Sequence, residues 1–421
     1  MTLSLVCGAE CQIHSVGSGA VADRHWSVAD DDGGTGTVGI AASPVRSGSY
    51  ALHYSSGTSG NDAYHEHRSG LGTETIGYFR GYFRFPDVGP TSEFPVMKFG
   101  VDATGWGDAH VDLVLTTGGV LRLRVGATPT YSSTNDITAS TDTWYGVEVE
   151  LDSGNDQAKW RVWTEGGGWT TSETVAGNTV QVPTWGVRLG VTESCGESGF
   201  AVYADDIAIG FDSGLYDDTG TNGRSTKVIR LNPVSDGTHN FDSGDFKYDG
   251  SGGSDISPSA TDVYSHLDAA DMEQTSEGVY YADPTTGQYV EANFETVSGS
   301  VGGVSLVISG LNDLSETPYQ VNISGWQSWA FVLGGGTQTW ATYQGMVSGL
   351  PTAIRLGNSA NIGPVVYGIA LEVEWTLGVT LHAVSPTDDV TTTGWTSTPL
   401  WSKVDEDPDS PDATVISATA S

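Results

Sequence analysis

The chain of 421 residues carries 52 acidic against 17 basic side chains, a formal net charge of -35, and such a surface offers no basic patch with which to displace counterions from DNA or RNA. Hydrophobic residues at 38% and thirteen tryptophans exclude a disordered acidic polymer, and no apolar run reaches the ~18 residues of a membrane span. Self-repulsion of this size opposes compactness at low ionic strength and is screened in molar salt, where the Debye length is about 3 Å; with only five lysines, the composition predicts a halophilic source.

Fifty-seven glycines among abundant Thr, Ser and Val predict many short strands joined by tight turns. Residues 1–213 read as one all-β unit. A strand over Ser49–Tyr54 follows the Ser47-Gly48 turn, and Ile76–Phe85 alternates as a half-buried strand does. His110–Leu115 and Val120–Val125 flank Gly118-Gly119 as a hairpin. Trp144–Asp152 sets Val147, Val149 and Leu151 against Glu148, Glu150 and Asp152. Strands over Lys159–Thr164, Val187–Val191 and Phe200–Ile209 complete a sandwich or jelly roll.

Residues 214–225 are Gly-rich, polar and acidic, and read as a linker. A second β-sandwich is predicted over residues 226–385, from Lys227–Leu231 to the long strand Val365–Leu377. It includes one short helix over Asp262–Met272, capped by Thr261 or Asp262. Its expected role is anchoring and oligomerisation. Residues 386–421 form an acidic tail in which Trp401–Asp405 followed by Val415–Ser417 echoes Tyr264–Asp268 followed by Val279–Tyr281. The echo predicts a strand lent to a neighbouring chain. The fold class is thus all-β: two tandem jelly rolls and an extended tail. The opening MTLSLVCGAECQIH lacks a basic n-region and a long apolar core, so it does not read as a secretion signal. Cys7, Cys11 and Cys195 are odd in number; either buried thiols or a bridge from the first strand to Cys195 fits.

Gly8-Ala9-Glu10, Val45–Leu52, Tyr78–Phe85, Trp144–Val149 and Tyr203–Ile209 together resemble a concanavalin A/laminin G-like or carbohydrate-binding jelly roll. The segments VIRLNP, YSHLD and GVYYAD, with GW, LW, VDE and DATVIS in the tail, are similar to modules of structural proteins of tailed viruses. The resemblance implies a non-enzymatic virion surface protein of a halophilic archaeal virus: a capsid turret, decoration or tail fibre subunit. It would be a homo-oligomer (trimer or pentamer) in contact with other virion proteins, attaching to host surface glycans or S-layer. The alternative is a secreted or cell-surface carbohydrate-binding or glycan-cleaving protein. The resemblance also implies a structural calcium ion held by Glu10 and Asp206 (or Asp205), with backbone oxygens near Ser47.

No catalytic constellation is expected. Glu148, Glu150 and Asp152 share a face, but their order departs from the Glu-x-Asp-x-x-Glu pattern of related glucanases, and they read as an exposed acidic face. His65-Glu66-His67, in a loop-like stretch with Asp62, offers two imidazoles for a transition metal but no third ligand at fixed spacing. Aromatic side chains are the better recognition elements, because their faces stack on sugar rings. Trp106 and Trp169, each flanked by glycine, are the predicted glycan-binding residues; Trp163, Trp185, Trp326, Trp329 and Trp340 lie in similar settings or cluster in the second unit.

Overall fold

The computed structural model describes residues 2–13, 26, 28–30, 35–58, 61–67, 75–100, 111–126, 128–165, 167–177, 186–211, 227–249, 252–269, 271–273, 277–311, 317–331, 341–357 and 364–376. The predicted linker, the acidic tail and Trp106 lie outside them.

The first sandwich stacks a nine-stranded sheet on an eight-stranded one. Across the former run Gly168–Trp169, Gln157–Thr164, Trp144–Asp152, Ile76–Arg84, Ala201–Phe211, Ala51–Ser55 and Thr37–Ala41, with Thr2–Cys7 paired to the free end of Ala201–Phe211. Alternation decides the faces. Phe79, Phe83, Val147, Val149, Leu151, Trp160 and Val162 point into the shared core, so Arg80, Tyr82, Glu148, Arg161 and Trp163 point outward. The predicted hairpin forms from Val111–Leu115 and Val120–Val125, and Gly119 takes the left-handed conformation (φ 72°) that its turn demands. The three cysteines are buried and form no disulfide.

The second sandwich pairs a six-stranded with a five-stranded sheet. Two long strands, Ser300–Leu311 and Val365–Thr376, lie side by side in the former. The predicted helix shortens to a single 3-10 turn, Val263–His266. Neither Thr261 nor Asp262 caps it by side chain; Asp236, 27 positions back, accepts the amides of Val263 (3.0 Å) and Tyr264 (2.7 Å). A distant carboxylate therefore does the work expected of a local cap.

Met1–Thr376 form one compact unit, because the six-stranded sheet packs on part of the outer face of the nine-stranded one. Val6, Tyr78 and Ala208 meet Val228 there, and Met272, Val307 and Ala370 join the core of the first sandwich. A Cβ on Gly8 would lie 2.8 Å from the Val228 carbonyl, so only glycine permits this approach. Polar groups cross the seam in matched pairs. Gly8 N–H donates to Glu372 (3.3 Å), Met272 N–H to the Cys11 carbonyl (3.1 Å) and Val228 N–H to Asp206 (2.5 Å). Arg230 donates across the seam to the carbonyl of Glu10 (3.0 Å) and within its own sandwich to that of Ala269, and Arg80 pairs with Glu374.

Candidate functional site

Beyond the seam, the outer face of the nine-stranded sheet is lined by rings and is uncovered by the described residues. Register sets them in rows. Tyr82, Gly146, Trp163 and Trp169 lie opposite one another on four successive strands. The next row toward the strand ends runs His53, Tyr203, Arg84 and Trp144. Trp144, Trp163, Trp169, Tyr203 and His53 are half-buried, with part of each ring facing solvent. Trp169 is therefore on an edge strand rather than in an exposed loop, and Trp163 is its cross-strand partner.

Each ring is fixed by its neighbours. Tyr82 meets Trp163 edge to face at 5.7 Å and Trp169 at 6.4 Å. Between them a Cβ on Gly146 would come within 2.6 Å of the Tyr82 ring, so the glycine lets that ring pack down across the strand. The Arg46 guanidinium lies 3.4 Å over Tyr82 and 5.7 Å from Trp163, while that of Arg161 lies 4.9 Å from Trp169. Tyr203 stacks on His53 at 4.7 Å, and burial lowers the pKa of that imidazole, favouring the neutral ring. Burial pushes the Tyr82 phenol up to about 12 against the opposing pull of Arg46 and Arg80, so it remains a neutral hydroxyl. Among the described residues nothing hydrogen-bonds to Tyr82 Oη.

The acids read as an exposed face behave differently. Glu148 is buried; Arg161 Nε donates to it at 2.5 Å and Arg80 lies at 3.9 Å. Glu150 is 3.5 Å from Lys159. These carboxylates brace the sheet from outside, and the bracing arginine is the one under Trp169. His65-Glu66-His67 is likewise a buried strand, Ala63–His67, and not a loop. His65 stacks on Trp26 (4.5 Å) and contacts Tyr54 Oη through Nδ1 (3.1 Å), and Glu66 pairs with Arg188 (2.7 Å).

Glu10, Ser47 and Asp206, the expected calcium ligands, do gather around one loop, Ser47–Tyr50. A β-bulge between Asp205 and Ala208, with Asp206 in the left-handed region (φ 50°), turns the Asp206 side chain toward it. The donors that meet them are wrong for a hard cation, which takes six to eight oxygens. Asp206 accepts the Ser47 hydroxyl (2.8 Å) and the Val228 amide, and pairs with Arg46. Glu10 accepts the amides of Ser49 (2.9 Å) and Tyr50 (3.1 Å). Asp205 accepts the amides of Arg46 (3.0 Å) and Ser47 (3.3 Å); burial first, then Asp206 beside it, raises its pKa. No group of three or more metal-binding side chains occurs among the described residues. These residues do not fit a calcium ion: Arg46 brings the positive charge, and Asp206 thereby positions the cation that covers Tyr82. Glu10 faces a separate cleft of about 320 Å³ at the seam, lined also by Gln12, Gly48, Tyr50, Ile229, Arg230 and Asn232.

Among the described residues no helix is long and apolar enough to cross a membrane. No protein-family model matches the chain, and no curated protein matches it. Solved structures that are similar include "Cellulose induced protein, Cip1", at 17% identity over 41% of this chain and 85% of that one, TM-score 0.31. The tandem CBM22-1-CBM22-2 domain of Paenibacillus barcinonensis Xyn10C aligns at 10% identity over 88% and 97%, TM-score 0.25. A GH131 beta-glucanase catalytic domain from Podospora anserina aligns at 12% over 51% and 93%, TM-score 0.32.

Proposed function

We propose that this chain is a carbohydrate-binding protein that holds a glycan chain along the open face of its nine-stranded sheet. The observation that carries the reading is the row Tyr82, Gly146, Trp163 and Trp169. It presents two half-buried indoles, braced by Tyr82 packed over Gly146, on a rigid sheet. Indole faces cover the C–H face of a pyranose, and a preorganised platform loses little entropy on binding. Arg46 and Arg161 are each neutralised by a carboxylate, and the chain's charge of -35 repels polyanions, so the fitting ligand is an uncharged polysaccharide. The test is affinity electrophoresis in molar salt through gels containing a mixed-linkage β-glucan, a xylan or a mannan. At least one should retard the parent, and Trp163→Ala/Trp169→Ala should lose that retardation by tenfold or more. A double variant retarded as strongly as the parent defeats the reading.

The protein acts without catalysis in this reading, since Glu148 is taken up by two arginines, Arg161 and Arg80. Glycan release by the parent that disappears in Glu148→Gln would reverse that. Display on the surface of a virion from a halophilic host, as a turret, decoration or fibre subunit, is the setting we propose for it. The acidic, lysine-poor composition and the echoed tail support that setting. Mass spectrometry of purified virions against uninfected cells decides it: presence in uninfected cells removes the viral assignment and leaves the glycan-binding one.

A further inference from the structure

The second sandwich turns its five-stranded sheet away from the seam, and the outer face of that sheet repeats the construction of the first. Val290, Ala292, Ile354, Leu356 and Val321 point into the core, which leaves Tyr289, Glu291, Arg355 and Gln320 outside. Register places Glu291, Arg355 and Gln320 side by side on three adjacent strands. Arg355 Nε donates to Glu291 at 2.7 Å, and its guanidinium lies 3.8 Å from the Trp326 ring and 4.3 Å from the Tyr289 ring. Trp329 meets Tyr289 at 6.2 Å. Both tryptophans are half-buried. Trp326 is presented by a tight turn. Ile323 N–H donates to the Gly325 carbonyl (3.0 Å), Gly325 N–H to Asn322 Oδ1 (3.0 Å) and Gln327 N–H to the Val321 carbonyl (2.9 Å).

We infer that this is a second carbohydrate-binding face, built on Tyr289, Trp326 and Trp329 around the Glu291–Arg355 pair, so that the chain binds polysaccharide bivalently. The recurrence carries the argument. Two sandwiches with different sequences each set a cross-strand Glu–Arg pair on an outer face, Glu148–Arg161 and Glu291–Arg355, bring its guanidinium to an indole (Trp169 at 4.9 Å, Trp326 at 3.8 Å), and place a second tryptophan and a tyrosine on the same face. A structural ion pair needs no solvent-accessible indoles, whereas Trp326 and Trp329 are only half-buried, and an anion site needs a cation that Glu291 does not neutralise. Rings edged by a carboxylate and the Gln320 amide suit the C–H face and hydroxyls of a neutral sugar. Because Met1–Thr376 form one compact unit, a long chain bound at one face meets the other at raised effective concentration, and avidity exceeds either affinity.

The inference rests on the same ring chemistry as the first face, and the experiment separates them. The parent, Trp163→Ala/Trp169→Ala, Trp326→Ala/Trp329→Ala and the quadruple variant are run against the same three polysaccharides in molar salt. Each pair should weaken retardation about tenfold or more, and the quadruple variant should migrate freely. Full retardation of Trp326→Ala/Trp329→Ala overturns the second face and leaves the first standing. Loss in that variant with none in Trp163→Ala/Trp169→Ala overturns the first instead. No retardation of the parent by any of the three overturns both. Oxidative footprinting of the unmutated protein requires no altered fold: polysaccharide should protect Trp326 and Trp329, and unchanged oxidation of both counts against the face. If the Trp326→Ala/Trp329→Ala change converts an oligomer to monomer with retardation intact, the rings form a subunit interface and the inference falls.

Discussion

Arg80 and Tyr82 stand two residues apart on one strand and point out of the same sheet, yet they meet different surroundings. Arg80 lies under the second sandwich, where Glu374 and Glu148 close on it. Tyr82 lies beyond the edge of that sandwich, where Trp163, Trp169 and Arg46 surround it and solvent reaches the indoles. At the seam Arg80 is met by two carboxylates, because an unpaired ion removed from water costs several kcal/mol. At the open end the rings are held by stacking and retain bare surface. The division between cohesion and recognition is thus made by how far a second domain covers a face, not by a change in strand type.

The largest way to break this contrast is Arg80→Ala, which strands Glu374 in the seam. Chemical unfolding in molar salt should show a loss of roughly 3–5 kcal/mol; a loss below about 1 kcal/mol would mean that the seam charges do not hold the sandwiches together. Next is the pH response of Glu372, whose carboxyl burial pushes from 4.5 up to about 8. Between those values the folded state keeps a proton that the unfolded state has released. Its stabilising contribution is therefore complete below pH 4.5 and is lost as pH rises through about 8, by roughly 3–5 kcal/mol. Melting temperatures taken across that window should fall in the parent and fall less steeply in Glu372→Gln. Parallel slopes would remove Glu372 as the cause.

Smaller effects are expected at the open end. Gly146→Ala places a methyl against Tyr82 and Trp163 and should cost about 1–3 kcal/mol, with a changed near-ultraviolet circular dichroism signal from the rings. An unaltered signal would mean that the packing of Tyr82 over Gly146 tolerates a methyl group. Trp169→Ala, at a half-buried edge position, should stay within about 1 kcal/mol of the parent in unfolding while weakening polysaccharide retention. A loss as large as that of Arg80→Ala would make Trp169 a structural residue and erase the contrast.

Much of this was legible from alternation alone. Trp144–Asp152 emerges at the predicted boundaries, with its valines inward and its acids outward. The predicted Ile76–Phe85 strand ends one residue early, at Arg84. Trp169 was legible as a flanking-glycine tryptophan, and Trp163 as one of its group. Tyr82 and Gly146 were not singled out, because their role comes from cross-strand neighbours: Gly146 lies between Trp163 and Tyr82, and Tyr82 is on a strand far back in the chain. The same blindness misplaced His65 and Glu66. Two distant neighbours, buried Trp26 and half-buried Arg188, convert what reads locally as a metal-binding loop into a packed strand.

By itself the amino-acid sequence determined the all-β class, the faces of the longer strands and a strong negative charge, since these follow from period and composition. Only the tertiary structure decided that Arg46 brings positive charge to the loop where a calcium ion was expected, that Glu148 is braced by arginines, and that each sandwich gathers rings on an outer face. Those outcomes depend on which residues lie opposite one another across strands and on what the second sandwich covers, and neither is written in local spacing.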